Sequence, residues 1–251
     1  MNKNLISQSI DDFFTSNIIR VTLYSLLITL FVSFGSLYLA FDGFSGIKEE
    51  LLLFIDGNNW YFLEGLKDSV IVDFILKQAI FSFVLNLLFF LGFGLIIYYI
   101  FFILYSFIIG LFTPIVIKDI KNRYYTDVDL YGLSFGTFIW FYLKTIIITI
   151  VLFIVLIPFY FIPILNLLIF LPMYYFFHKT ILFDILSSIN TLQEYKKIKD
   201  NNYLNLKIKT FICFIIALIP VVGIILYPLY IIYLSHFVFQ KTEELRSINS
   251  I

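Results

Sequence analysis

The sequence predicts an all-α integral membrane protein, and three observations carry that prediction. Apolar and aromatic residues make up 61% of the 251 residues and charged residues only 14%, against about 25% charged in an ordinary soluble domain. Two stretches, 21–41 and 78–117, run without a single charge. Prolines and a glycine then sit midway along the last two apolar blocks, where they read as turns between paired helices. A chain with so little charge cannot cover a globule in water, whereas a bilayer solvates apolar side chains directly. The length suits a single membrane domain spanning 1–251. Formal net charge is zero, which gives no bulk attraction to nucleic acid. Cys213 has no partner for an intrachain disulfide and reads as a small buried hydrophobe. The first twenty residues lack the pattern of a cleavable signal.

Residues 5–16 place Leu5, Ile6, Ile10, Phe13 and Phe14 at helical spacing, with Ser9, Asp11 and Asp12 between them. This predicts a short amphipathic helix at the membrane interface. Residues 18–41 form the first crossing, since about 20 apolar residues span the hydrocarbon core. Residues 42–77, rich in acids and glycine, form an external loop with short helical pieces. Residues 78–117 make a long transmembrane helix of about 60 Å, twice the hydrocarbon thickness. A break near Gly92-Phe93-Gly94 or at Gly110 is the competing reading.

Two hairpins follow, over 131–184 and 207–240. The first turns at Pro158 to Pro163, the second at Pro220-Val221-Val222-Gly223. Pro158, Pro163, Pro220 and Gly223 are therefore the structural turn residues. The rising arm of the second hairpin holds about ten apolar residues, half of what a crossing needs. Either it is re-entrant, or the block is one kinked crossing; backbone freed within the membrane must be buried in protein or face water. Between the hairpins, Ile185, Ile189, Leu192 and Tyr195 form a stripe that predicts a surface helix over 185–203.

Loop 42–77 carries 3 Lys/Arg and the rest of the chain 14. The positive-inside bias therefore places that loop outside and both termini in the cytoplasm.

Phosphate-binding loops, metal-ligand spacings and nucleophile–base patterns are all missing from the sequence. It implies no enzyme, no metal and no cofactor. His178 and His236 read as interfacial residues, and Asp184 as a cap or a partner for Lys179. The candidates for binding a small anion are Arg20, Asn17 and Lys144. Arg20 stands at the start of the first crossing, where helix N–H groups favour an anion. Lys144 lies inside an otherwise apolar arm, where charge is costly and often functional. Gly132 to Gly136 has the spacing of a close helix contact.

The layout from Ile157-Pro158 through Phe183-Asp184, then Ala217-Leu218-Ile219-Pro220-Val221-Val222-Gly223 and the returning arm to His236-Phe237, resembles the CysZ-type bacterial sulfate permeases. These are related to the etoposide-induced protein 2.4 family. The resemblance implies two long membrane helices and two hairpins penetrating part of the bilayer. It also implies a homo-oligomer in the bacterial inner membrane that takes up sulfate. In that family a glycine, an aliphatic residue and two arginines open the first long helix and are proposed to bind sulfate. The matching stretch here is Asn17-Ile18-Ile19-Arg20, where Arg20 keeps one arginine, and the glycine and the other arginine are replaced. The alternative function is a non-transport membrane scaffold or a lipid-interacting protein.

Overall fold

The computed structural model describes residues 5–57, 79–132, 134–160, 162, 165–219 and 221–249, with side chains outside 37–97, Tyr160, Asn166 and Asn249. Among these residues the protein is all-helical. The order is α1 (Leu5–Phe13), α2 (Ser16–Gly57), α3 (Ala79–Tyr124), α4 (Phe135–Tyr160), a 3₁₀ turn (Leu165–Ile169), α5 (Phe170–Ile189), α6 (Leu192–Asn201), α7 (Tyr203–Ala217), α8 (Val222–Ile225) and α9 (Tyr227–Asn249). Among the described residues four segments are long and apolar enough to cross a bilayer: Ser16–Ser36, Tyr98–Tyr124, Phe135–Phe159 and Leu167–Ile189. The chain divides into one compact unit of residues 1–28 and 102–251 and another of residues 29–101.

Several boundaries differ from the sequence expectation. α2 continues as helix to Gly57, well past Phe41 where the apolar run stops. The backbone hydrogen bonds of a helix need no apolar side chains, so hydropathy alone misses this extension. Residues 58–77 of the expected external loop, and residue 78 of the expected long helix, lie outside the described residues. α3 is one unbroken helix that carries Pro114 inside it. The proline removes only the bond to the carbonyl four residues back.

The two hairpins differ in length. α4 has 26 residues and α5 has 20; both arms of the first hairpin are long enough for a full crossing. Pro158 does not end α4; it sits within its last turn, where a missing N–H costs one bond at a fraying end. Pro163 and Pro220 fall outside the described residues. In the second hairpin α7 has 15 residues, a rise of about 22 Å, short of the hydrocarbon core of about 30 Å. Its turn places Val221 at φ 68° and packs Gly223 against Ala217.

The core of the larger unit is aromatic. Phe102, Tyr105, Phe176, Phe177 and Tyr227 are fully buried, with the Tyr227 ring edge-on to Phe102 at 6.0 Å and to Tyr105 at 5.7 Å. Phe141 of α4 stacks on Phe183 of α5. The expected 185–203 helix is split. Ile185 and Ile189 are buried at the end of α5, and Asn190 turns extended before Thr191 caps α6. That cap is reciprocal: Glu194 N–H donates to the Thr191 hydroxyl and Thr191 N–H donates to the Glu194 carboxylate, which satisfies two orphan donors at once.

Candidate functional site

α1 is amphipathic in the reverse of the usual sense. Its polar residues Ser9 and Asp12 are each 1% exposed, while Ile6 and Ile10 are 56% and 44% exposed, beside the exposed Ser7 and Asp11. A helix in contact with lipid gains by turning its apolar face outward and its polar face to the protein. Asp12 is the anchor. Its carboxylate accepts from Arg123 Nη1 at 2.6 Å, from the Tyr124 hydroxyl at 2.9 Å and from His236 Nε2 at 2.8 Å. On the other side of the ring, His236 Nδ1 lies 3.2 Å from the Tyr125 hydroxyl. Burial, ahead of the nearby Glu243 and Asp12 charges, pushes the Tyr125 phenol up to about 12. Tyr125 thus stays a donor. His236 is fully buried rather than interfacial, because both ring nitrogens have partners inside.

The α2 N-terminus begins beside this cluster. Thr15 N–H donates to Asp12 O and Thr15 O accepts from Ile19 N–H. Among the described residues the backbone N–H groups of Ser16, Asn17 and Ile18 are therefore the free donors of this helix end. The Asn17 side chain is exposed, and its amide donates to Asp119 Oδ1 at 3.0 Å. Asp119 in turn pairs with Arg123. Asn17 thus already serves a carboxylate of the protein. Arg20 is exposed and emerges one turn further along α2, so the structure brings Arg20 and Asn17 onto adjacent turns of one helix.

Lys144 sits elsewhere, on an outward stripe of α4 with Trp140, Leu143 and Ile147, all exposed. That face is exposed on the single chain. Tyr142, two residues earlier, points inward and donates to Asp184 Oδ2 at 2.8 Å. Asp184 does not pair with Lys179. It is 3% exposed, and its Oδ1 has no partner among the described residues. The Lys179 ammonium instead lies over the Tyr175 ring. A second buried chain links Ser106 to the Tyr227 hydroxyl at 2.7 Å and to Thr180 at 3.3 Å. His178 Nδ1 is 2.7 Å from the Thr210 hydroxyl. Sequence reasoning missed Asp12, Asp119 and Arg123. The signal was present only as charged residues flanking apolar runs, which normally face water.

At the cytoplasm-facing end of the expected topology, Arg246 Nε donates to Glu194 Oε1 at 2.8 Å. The Arg246 hydrogen bond, with help from Thr191, holds the Glu194 carboxyl below the usual glutamate range, and Glu194 raises Arg246 in return.

No curated protein matches the chain. The family model described as "Sulfate transporter CysZ/Etoposide-induced protein 2.4" matches residues 5–228, which takes in every described helix from α1 through α8 and the start of α9. The protein therefore belongs to the sulfate transporter CysZ and etoposide-induced protein 2.4 family.

Proposed function

We propose that the protein is a permease or channel for a small oxyanion, sulfate first among them, in a bacterial inner membrane with both termini cytoplasmic. Membership of a transporter family over residues 5–228 is the observation that carries this reading. The exposed Arg20, one turn inside the N-terminus of α2, supports it. A guanidinium offers a planar pair of donors that fits an oxyanion, and the free N–H groups and dipole of the helix end add to its field. Asn17 contributes its backbone N–H, since its side chain is engaged with Asp119. Lys144 takes part only where a second copy of the chain covers the outward face of α4. Around Lys144 that face is apolar and exposed, which suits lipid as well as a second copy.

The test is radiolabelled sulfate flux into liposomes holding the purified protein. Wild type admits sulfate above empty liposomes. Arg20→Ala weakens half-saturation by at least about tenfold, the value of one lost charged hydrogen bond, and Arg20→Lys falls between. Flux through the Ala variant equal to wild type removes Arg20 from the mechanism. Absence of sulfate flux in wild type removes the sulfate reading itself.

A further inference from the structure

A cavity of about 210 Å³ opens between α1, α7 and α9. Ile6 and Ile10 of α1, Ile212 and Ile216 of α7, and Leu229 and Tyr233 of α9 form most of its wall. Ile6, Ile10 and Ile212 are themselves exposed, so the cavity is a slot open at the protein surface. An apolar cavity of about 150 Å³ suffices to hold a benzene ring; this one has room for a stretch of alkyl chain.

Lys209 stands beside the slot, bonded to Tyr233 of its wall. Lys209 Nζ donates to the Tyr233 hydroxyl at 2.8 Å and lies 4.9 Å over the Phe237 ring. Among the described residues no carboxylate stands within ion-pair distance of it. Lys209, Ile212 and Ile216 follow one stripe of α7, with a rise of about 10 Å from first to last. From the ammonium, the stripe leads along the wall at Ile212 and Ile216 in the direction of the hairpin turn. Apolar along its wall, with an ammonium beside it, the slot has the polarity of a phospholipid entering from the cytoplasmic leaflet. The reversed amphipathicity of α1 follows the same logic, because Ile6 and Ile10 face the chain that would fill the slot.

We propose that this slot binds one anionic phospholipid of the surrounding bilayer, with its phosphate on Lys209 and one acyl chain between α1 and the second hairpin. The site stands apart from Arg20 and requires no transport, so its failure and that of the anion-permease reading are separable.

The test uses the full chain purified in detergent. It is supplied with equal amounts of phosphatidylglycerol and phosphatidylcholine of identical acyl chains, and retained lipid is counted by native mass spectrometry. One interfacial lysine gives a preference of about fivefold for the anionic lipid. Lys209→Gln brings the ratio to about one, and Lys209→Arg restores it. Phosphatidylglycerol with a photoactivatable acyl chain labels peptides holding Ile10, Ile212 or Leu229. Ile216→Trp, which fills the slot from a half-exposed position, lowers that labelling at unchanged elution volume. Equal retention of the two lipids by wild type overturns the proposal, as does a preference that survives in Lys209→Gln. Displacement of the lipid by inorganic phosphate alone, or labelling that joins two copies of the chain, overturns it by assigning the slot to a free anion or to a second subunit.

Discussion

Gly223→Ala places backbone packing against helix propensity, and the two have opposite signs. Gly223 lies in α8, and in a helix alanine is favoured over glycine by up to about 1 kcal/mol. At this site a Cβ would stand 2.3 Å from the carbonyl oxygen of Ala217 and 2.6 Å from its Cα, well inside the 3.4 Å at which ordinary contact begins. Both obstacles are backbone, so no rotamer change relieves them. The turn must open by roughly 1 Å. That strains the bond from Gly223 N–H to Ile219 O, now 2.8 Å. Forcing one extra carbon into a packed site costs about 1–3 kcal/mol, which outweighs the propensity gain. With about 2–4 °C per kcal/mol at this chain length, the apparent melting temperature falls by up to several degrees. The assay is a fluorescence-detected thermal scan of detergent-purified protein at one fixed scan rate, since such unfolding is irreversible. Gly136→Ala is the control: nothing lies within 4 Å of its Cβ, and it melts at or above wild type. A Gly223→Ala protein as stable as Gly136→Ala refutes the packing argument.

Asp12→Asn removes the charge that Arg123 and His236 share. Stripping one partner from a buried pair costs about 3–5 kcal/mol, less where a partner such as Arg123 is partly exposed. Hydrogen exchange of the α1 amides accelerates as the helix loses its anchor; unchanged exchange would mean that apolar contacts alone hold α1. For Glu194, the folded carboxyl is depressed below the ordinary 4.5 by Arg246, so its contribution is complete above that value and lost as pH falls through the folded one. The melting difference between wild type and Glu194→Gln therefore stays constant at neutral pH and narrows only below pH 4.5; narrowing at neutral pH would contradict the pairing. Val221 holds φ 68° and ψ −56°, a strained backbone for a β-branched residue, costing about 1–3 kcal/mol. Val221→Gly raises the melting temperature despite the added freedom of the unfolded chain, and a fall would show that the turn is not strained.

Membrane helices were legible in the sequence because hydropathy is a local property. Which side of each helix meets protein was not. In water the apolar stripe of a helix must turn inward; in a bilayer lipid accepts it equally well, and packing decides. α1 shows the consequence: the periodicity of Ile6, Ile10 and Phe14 gives a stripe, and the structure turns that stripe outward. α4 shows it again. Tyr142 and Lys144 are separated by about 200° around the helix, so one must face inward and one outward. Tyr142 is the inward one because Asp184, 42 residues away, accepts its hydroxyl hydrogen. The pairing of Asp12 with His236 spans 224 residues, and no local pattern announces it.

Gly110 carries the point furthest. Within a long apolar run a glycine reads as a place where a helix breaks, yet α3 passes through it unbroken. A Cβ there would stand 2.6 Å from the Tyr142 hydroxyl and 2.8 Å from Asp184 Oδ2. Tyr142 is a rigid ring at 1% exposure and has no space into which to withdraw. What the glycine supplies is room, through its missing side chain, for a tyrosine and a carboxyl from two other helices to meet against α3. The first hairpin thereby reaches the long helix through a polar contact inside an apolar bundle, the Tyr142 hydroxyl lying 3.2 Å from Ser106 O. A buried carboxyl among aromatic rings tolerates little displacement, because each polar atom moved off its partner is left in a medium with no water to replace it. Apolar packing alone would let α4 and α5 slide along α3, since one leucine or phenylalanine surface resembles another. The Tyr142 hydroxyl, held by Asp184 and 3.2 Å from the Ser106 carbonyl oxygen of α3, sets one register in the space that Gly110 leaves open.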